Sequence, residues 1–439
     1  MEDATFRMPL YLPAQGASEL EATIIEWYVA EGDSFSKGQA LAQIDSAKSV
    51  FDFEAPCDGK VIRRLRLDSE TVQLTEPIVE IETSDERMKN SIPPAVAGDH
   101  LEKVIQPASR PNRVVEPLQE VVILGIGGYL PQRVVTNAEL VRNMPEISEE
   151  YVYQVTGIRE RRWADENEKP STMALKASLE AIRKSSIASK DIDAIILATY
   201  TPDAATPSTA CFLQDRLCLP TIPAFDVNAA CSGWLYAVSM ARGMILSGLA
   251  RNVLTVGVDM QSRLLDPSDR SAYFIFGDGA GAAIISADRP GHRIRQVILG
   301  ANTAGIHMAR REQPGYALNN GKGEFDPWIR LDGQALFRYA TESFTAVIRD
   351  ALARTGWTAE ETRWVVPHQA NGRILKAAAK RGGVPFDRFF LNIEQVGNTS
   401  SASIPLALIE AEPILQSGDK LILCSVGAGL TTAAISVEW

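Results

Sequence analysis

The sequence predicts an α/β protein preceded by a small all-β segment. From Val121 onward, apolar strands such as 194–199 and 252–259 alternate with helical patterns such as 333–356, whereas residues 8–84 show only short strands separated by turn residues. Alternating strands and helices are typical of a layered sheet with buried strands. A chain of 439 residues is also too long for one ordinary core. We therefore expect a β domain at 1–84, a linker at 85–118 and an α/β body at 119–439.

Charge and cysteine content argue against several classes of function. Residues 1–85 carry 17 acidic and 7 basic side chains, a net charge of −10, whereas the rest, with 38 acidic and 37 basic, is at −1. The acidic charge of residues 1–85 argues against nucleic acid as the partner of this segment. The segment either docks on a basic patch elsewhere or has an ordinary solvated acidic surface. The five cysteines are scattered without a CxxC pair, which suggests neither disulfides nor a metal site. No apolar run is long enough for a membrane span, so we expect a cytoplasmic protein.

The N-terminal segment contains a weak internal repeat. Residues 24–46 and 61–83 each read as strand, turn and strand, and two such halves would form a flattened β-sandwich with a hairpin between them. This segment resembles the biotinyl/lipoyl carrier domains, in which a lysine at the hairpin tip carries lipoate or biotin. The resemblance points to Lys48. Its neighbours Ala47 and Ser49 do not fit the biotin pattern, and the run is closer to the lipoyl-bearing H protein of glycine cleavage; an unmodified lysine in a degenerate carrier domain is the alternative.

The remaining chain divides into a tether and two halves. Residues 85–118 hold five prolines and show no sustained periodicity, which predicts a semi-extended linker for a mobile domain. A second series of strands begins after about residue 290. We therefore expect the body to be a duplicated, layered structure with halves at about 119–290 and 291–439.

Cys231 is the candidate nucleophile. An apolar strand runs to Val227, a turn of small residues follows, and an apolar helix is expected to begin at Cys231. The positive end of a helix dipole lowers the pKa of a thiol and favours the reactive thiolate. A buried structural cysteine is the competing interpretation.

Two further polar residues stand at strand or turn ends. A strand runs directly into His368, and a Gly-Asn turn places Asn398 before small hydroxyl residues that open a helix. A histidine at a strand end is well placed for chemistry. None of the other three histidines directly follows a predicted strand.

Six motifs from about 120 to 439 resemble the β-ketoacyl-acyl carrier protein synthase III family of the thiolase superfamily. They occur in the family's order: TGIRERR (156–162), DVNAACSG (226–233), DPSDR (266–270), FGDGAGA (276–282), PHQAN (367–371) and GNTSSAS (397–403). The resemblance implies a five-layered αβαβα fold and a homodimer. It also implies that Cys231 is acylated, that His368 and Asn398 complete a triad, and that the backbone N–H groups of Cys231 and Gly429 hold the oxyanion.

The activity implied is that of an acyltransferase, a 3-oxoacyl-[acyl-carrier-protein] synthase III-like enzyme. An acyl primer from a coenzyme A or acyl carrier protein thioester would condense, with loss of CO2, with a malonyl-type thioester and without a cofactor or metal. Acyl transfer from Cys231 to an alcohol or amine, and a non-catalytic scaffold, are the alternatives. The second cysteine, Cys424, is out of register with the thiolase base and reads as a core residue.

Departures from the family bear on the substrate. Tyr151 stands where a tryptophan stacks on coenzyme A, while Arg270 and Arg373 are retained at the tunnel mouth. Thr206 replaces a phenylalanine that closes the acyl pocket, so we expect primers larger than acetyl.

Basic residues match the family's docking site for acyl carrier protein. These are Arg338, Arg373, Lys380 and Arg381, and ordinary surface charge is the alternative. The acidic N-terminal domain could use the same patch. We therefore hypothesise that lipoylated Lys48 presents an acyl group to Cys231.

Overall fold

The computed structural model describes residues 5–13, 21–46, 50–74, 76–90, 120–287, 289–312 and 325–439. The chain divides into two compact units, residues 1–114 and 115–439. None of the helices in the described ranges is long and apolar enough to cross a lipid bilayer.

The N-terminal unit is a β-sandwich of two four-stranded sheets. Its strands are β1 (Phe6–Leu10), β2 (Glu21–Trp27), β3 (Ser34–Phe35), β4 (Ala40–Ser46), β5 (Val50–Glu54), β6 (Gly59–Arg64), β7 (Thr71–Gln73) and β8 (Val79–Thr83). One sheet has the order β1-β8-β6-β3 and the other β5-β4-β2-β7. Replacing each strand of one sheet by the strand four places away in chain order gives the order of the other sheet. The internal repeat predicted from the sequence is therefore confirmed.

A core of its own lies inside this unit. Apolar side chains that alternate along the strands are fully buried between the sheets, including Ile24, Leu41, Ile44, Val61 and Ile81. The members of this core all lie between residues 8 and 88. Strands with one buried face alternate in this way because successive side chains point to opposite sides of a sheet.

The larger unit contains both long helices and buried strands. Its strands are β9 (Val121–Tyr129), β10 (Arg133–Thr136), β11 (Glu160–Trp163), β12 (Ala194–Ala198), β13 (Ala224–Val227), β14 (Asn252–Asp259), β15 (Gly279–Ala287), β16 (His292–Ala301), β17 (Ala309–Arg310), β18 (Arg330–Leu331), β19 (Thr362–Pro367), β20 (Lys420–Gly427) and β21 (Thr431–Glu438). Its helices are α1 (Asn137–Leu140), α2 (Glu149–Thr156), α3 (Pro170–Ser185), α4 (Thr209–Arg216), α5 (Gly233–Leu246), α6 (Arg270–Tyr273), α7 (Gly333–Thr355), α8 (Gly372–Gly382), α9 (Ile393–Val396) and α10 (Ser403–Ala411).

Hydrogen bonding links the main strands into one nine-stranded sheet with a repeated order. The order is β13-β12-β14-β15-β9-β16-β21-β20-β19, and Phe389 adds a parallel bridge beside Val365 of β19. If the bridge at Phe389 is counted as a strand, each half has five strands. Numbered along the chain within its own half, the strands of both halves lie in the order third, second, fourth, fifth, first. The halves join at β9 and β16 through the pairs His292–Ile123 and Arg293–Val122. The sheet is therefore continuous at this short junction, although its two halves are repeats.

Helices cover both halves and also separate them. Side chains of α5 and α10 share one core with strands from both halves. Helices α3 and α4 pack on the opposite face of the first half, and α7 and α8 on the opposite face of the second. The order of layers is thus α3/α4, first half-sheet, α5/α10, second half-sheet, α7/α8. This is the five-layered arrangement expected from the sequence.

Candidate active site

The nucleophile candidate lies where β13 passes into the central helix α5. Cys231 is in a 3₁₀ turn, Ala230–Ser232, and the α-helix begins at Gly233. The expectation that the helix starts at Cys231 is therefore wrong by two residues. The turn is tight: Ala230 has φ of +47°, and its N–H donates to Asn228 Oδ1 at 3.1 Å.

The end of β20 and the start of β21, in the other half of the unit, brace this turn. The Ser425 hydroxyl donates to the Cys231 carbonyl at 2.9 Å, and Thr431 Oγ1 donates to the Ala229 carbonyl at 2.8 Å. A Cβ on Gly427 would lie 2.9 Å from the Cys231 nitrogen, so only glycine fits at this distance. The nucleophile turn is held by residues nearly 200 positions later in the chain.

Burial is the main influence on the pKa of the Cys231 thiol. Burial raises the pKa of the thiol to about 12, while the Ser400 hydroxyl, which donates to Cys231 Sγ at 3.6 Å, lowers it. The expected low pKa is thus wrong, because burial removes the water that would solvate a thiolate. Cys231 is a neutral thiol at pH 7.

His368 follows the last residue of β19, as the sequence predicts. Its backbone N–H donates to the Cys424 carbonyl at 2.7 Å, and its Nδ1 lies 3.1 Å from the Ser403 hydroxyl at the start of α10. The ring is almost completely buried, and burial lowers the pKa of the imidazole to about 3. The side chain is therefore neutral at physiological pH.

Asn398 is held in one orientation. Its backbone pairs with Phe276 in a parallel bridge, and its Oδ1 accepts from the Ser400 N–H at 2.9 Å. Its Nδ2 donates to the Ala370 carbonyl at 3.3 Å. Because the amide oxygen is already engaged, the second Nδ2 hydrogen is available as a donor.

The three side chains line one cavity of about 530 Å³, together with Gly429. Most of its wall is apolar, with contributions from Ile275, Phe276, Ile306, Ile329, Leu331, Leu336 and Phe344. Neutral hydrogen-bond donors beside a thiol in a largely apolar cavity are suited to stabilising negative charge on a thioester oxygen. Within the described ranges, no cluster of three or more His, Cys, Asp or Glu residues is arranged to hold a metal ion.

A buried carboxylate supports the loop that carries Asn398. Asp259, at the end of β14, accepts from the Ser401 hydroxyl at 2.7 Å and from the Tyr200 N–H at 3.0 Å. It also accepts from the hydroxyls of Thr199 and Thr201. These bonds satisfy a fully buried acid and fix the loop on the ends of β12 and β14.

The predicted substrate residues lie apart from this cavity. Tyr151 and Arg270 line a neighbouring pocket of about 200 Å³, where Arg270 pairs with Glu146. Arg373 is exposed at the start of α8, with its guanidinium 6.0 Å from the Phe337 ring, which does line the large cavity. Thr206 is exposed and does not line the cavity of its own chain.

The other predicted residues are on surfaces or outside the described part. Arg338 on α7 and Lys380 and Arg381 on α8 are exposed. Cys424 is fully buried in β20. Lys48 lies outside the described residues, although the flanking strands β4 and β5 pair with Asp45 opposite Val50.

Sequence reasoning missed several residues of this site. Ser400 and Ser403 contact the sulfur and the imidazole, and their signal was the run of hydroxyl residues after Asn398. Tyr200 and Arg311 also line the cavity. Tyr200 comes shortly after β12, much as His368 comes after β19. This correspondence becomes visible only after the two halves are aligned as repeats. Nothing in the local sequence marks Arg311.

Comparison with known proteins places this site in a family. Profiles of 3-oxoacyl-[acyl-carrier-protein] synthase III match residues 225–303 and, for its C-terminal part, 352–439, and a profile of biotin-requiring enzymes matches residues 9–81. A β-ketoacyl-[acyl-carrier-protein] synthase III of Rhizorhabdus wittichii is 39% identical over 326 residues, covering 73% of this chain and 100% of the relative.

Solved structures agree. The 3-oxoacyl-[acyl-carrier-protein] synthase III of Aquifex aeolicus has a TM-score of 0.67 at 38% identity, over 73% of this chain and 100% of that one. The priming β-ketosynthase of the R1128 polyketide pathway has a TM-score of 0.67 at 32% identity, over 72% and 96%. The resemblance inferred from the six motifs is confirmed. The chain thus belongs to the 3-oxoacyl-[acyl-carrier-protein] synthase III family of enzymes and carries a biotin/lipoyl domain ahead of its synthase domain.

Proposed function

We propose that the chain condenses an acyl primer with a malonyl thioester carried by acyl carrier protein, releasing CO2 and a 3-oxoacyl thioester. The observation that carries this proposal is the single cavity into which Cys231, His368 and Asn398 open. The names of the relatives support acyl carrier protein as the carrier. In this proposal residues 1–84 are the carrier-like domain, 85–118 the tether and 119–439 the synthase, with halves that meet near residue 290.

In the first step, Cys231 takes the acyl group. Its sulfur attacks the thioester carbon, the C–S bond to the donor breaks, and the donor leaves as a thiol with the proton that Cys231 gives up. Because burial holds the pKa of the Cys231 thiol at about 12, proton loss accompanies attack rather than preceding it. The N–H groups of Cys231 and Gly429, with the Ser400 hydroxyl near the sulfur, stabilise the charge that develops.

In the second step, the malonyl thioester loses CO2. The electron pair of the breaking C–C bond forms an enolate, whose oxygen accepts hydrogen bonds from Asn398 Nδ2 and His368 Nε2. The imidazole can donate from Nε2 only if Nδ1 is the acceptor, which the Ser403 hydroxyl at 3.1 Å permits. The enolate carbon then attacks the acyl carbonyl, and Cys231 leaves and regains a proton.

Separate measurement of the two steps tests this proposal. Intact-mass analysis follows acylation of Cys231, and CO2 release from malonyl-acyl carrier protein follows decarboxylation. We expect His368→Ala and Asn398→Ala to acylate normally but to lose CO2 release by about 100- to 1,000-fold. Acyl transfer to an alcohol or amine without CO2 release would contradict the proposal, as would a Cys231 that no acyl thioester modifies.

We also propose a homodimer and docking of acyl carrier protein on Arg338, Arg373, Lys380 and Arg381. The exposure of these cations and the proximity of Arg373 to the cavity-lining Phe337 support the docking proposal. Thr206 is exposed in the single chain, so an effect on a primer larger than acetyl depends on the proposed dimer. Charge reversal at Lys380 and Arg381 should raise KM for the acyl carrier protein thioester and leave the coenzyme A thioester unaffected.

Lys48 is the proposed attachment point for lipoate. The pairing of Asp45 with Val50 in the flanking strands supports the hairpin that this proposal needs. Lipoate attached there, once its disulfide has been reduced to the dihydrolipoyl dithiol by a cellular dithiol reductant, would supply a thiol that can carry an acyl group to Cys231. Expression with lipoate and its ligase should add one lipoyl mass to the protein but not to Lys48→Arg; the absence of that gain would remove the proposal.

A further inference from the structure

One wall of the cavity is polar and positively charged. Tyr200, Arg311 and the exposed Arg310 line it, together with apolar residues and polar ones such as Asn228, Ser271 and Asn371. Arg311 is half-buried, and its Nε donates to the Pro327 carbonyl at 3.5 Å. The nearby carboxylates of Asp266, Asp269 and Asp326 pair with Arg330, and no ion pair among the described residues joins a carboxylate to Arg310 or Arg311. A half-buried guanidinium in such a cavity is costly unless an anion pairs with it.

Tyr200 connects this wall to the nucleophile. The Tyr200 hydroxyl donates to Gln261 Oε1 at 2.6 Å, and the Gln261 amide is itself fixed by the carbonyls of Gly277 and Asn398. The phenol hydrogen therefore points away from any ligand, and the oxygen remains free to accept a hydrogen bond.

Tyr200, Cys231 and Arg311 line the same cavity. Burial raises the pKa of Tyr200 well above its usual value, the electrostatic effects of Asp259, Cys231 and Asp278 raise it further, and the charge of Arg311 lowers it. Cys231 and Arg311 are thus both within electrostatic reach of one hydroxyl. An acyl group attached to Cys231 Sγ therefore enters a cavity that has the Arg311 side chain in its lining.

We propose that the primer is the monothioester of a dicarboxylic acid, whose free carboxylate pairs with Arg311 while its carbonyl carbon is bound to Cys231. The inference rests on the condensing function proposed above and names the chemical class of its primer. A guanidinium can bind a carboxylate through two parallel hydrogen bonds, and Arg310 adds positive potential at the same wall. The apolar part of the cavity accommodates the methylene groups between the two ends.

The same wall selects against alkyl primers. A methyl terminus beside Arg311 would remove water from the guanidinium and return no hydrogen bond. The chemistry at Cys231 is unchanged: its bond to the acyl carbon forms, the bond to the donor sulfur breaks, and the donor leaves as the free thiol. Selection therefore acts on the far end of the chain.

Matched donors test the proposal with the full-length protein. Succinyl- and adipoyl-coenzyme A are compared with pentanoyl- and heptanoyl-coenzyme A by the rate at which Cys231 gains the acyl mass. We expect the wild-type protein to prefer the carboxylated donor of at least one pair by about 10-fold or more, the effect of one charged hydrogen-bonded contact. Arg311→Leu should abolish or invert that preference, and Arg311→Lys should restore part of it.

Controls separate this inference from the proposed function. Arg183→Leu removes an exposed arginine from the outer helix α3 and should keep the wild-type preference. Equal or faster charging with both alkyl donors, or a preference unchanged in Arg311→Leu, would overturn the inference. If alkyl primers charge Cys231 and support CO2 release, the function stands and the carboxylate selection fails; if no donor charges Cys231, the function itself fails.

Discussion

His368 couples the stability of the synthase domain to pH. Burial lowers the pKa of this imidazole from 6.5 to about 3. The unfolded chain therefore binds a proton below pH 6.5 that the folded chain excludes. The contribution of the neutral imidazole to the free energy of unfolding is present above pH 6.5 and is lost as the pH falls toward 3.

The corresponding prediction concerns His368→Gln. Between pH 7.5 and 5.0, the free energy of unfolding of the wild-type protein should fall by about 2 kcal/mol more than that of the variant, which has no group to titrate there. Urea unfolding at the two pH values measures the difference. Parallel losses in both proteins would show that the imidazole takes up its proton in the folded chain as readily as in the unfolded chain.

Ser403 acts through His368 and is a positioning residue. Its hydroxyl lies 3.1 Å from Nδ1, and in the proposed mechanism it donates to Nδ1, which leaves a hydrogen on Nε2. We expect Ser403→Ala to lower CO2 release by about 10-fold, since one neutral hydrogen bond is lost, without changing acylation of Cys231. Ser403→Thr, which retains the hydroxyl, should recover most of the activity. Equal losses in both steps would instead indicate a damaged fold.

At the scale of elements, the position of the Asn398 loop depends on its close approach to β14. A Cβ on Gly257 would lie 2.4 Å from the Ser401 carbonyl oxygen, whereas Gly243, inside α5, has no neighbouring atom within 4 Å of that position. The two glycines therefore form a matched pair, one required by packing and one not.

Alanine at these two positions should have opposite effects. Gly257→Ala should destabilise the domain by about 1–3 kcal/mol, because backbone must shift, and should reduce CO2 release more than acylation. Gly243→Ala should be neutral or stabilising by up to about 1 kcal/mol, as expected within a helix. Urea unfolding and the two single-step assays measure both effects. A destabilised Gly243→Ala would show that α5 is packed more tightly there than the structure indicates.

Local patterns in the sequence predicted most elements but not the contacts between them. The strands at 121–129, 194–198, 252–259 and 279–287 were predictable because unbroken apolar runs are typical of buried strands. The strand leading into His368 and the turn at Asn398 were predictable for the same local reason. The bond from Ser403 to His368 and the high pKa of Cys231 were not, because both arise from packing between distant segments.

At the scale of the whole molecule, the two units have separate hydrophobic cores. Members of the β-sandwich core end at Met88, and those of the synthase domain begin at Val121. Damage to one core should therefore leave the other folded.

Gly59→Ala tests this independence. A Cβ there would lie 2.8 Å from the Glu82 carbonyl oxygen and 2.9 Å from the Phe35 ring, so the β-sandwich should be destabilised by about 1–3 kcal/mol. Calorimetry should show one transition moved to lower temperature and a second unchanged, with condensation from free acyl-coenzyme A retained. A shift of both transitions together would mean that the units unfold as one.

The repeated strand order divides the reaction between the two halves. Cys231 and Tyr200 follow the third and second strands of the first half, whereas His368 follows the second strand of the other half and Asn398 the bridge at Phe389. In the proposed mechanism, the nucleophile therefore belongs to one half and the two enolate donors to the other. Evolution of a new extender preference would consequently alter the later half while conserving the earlier one.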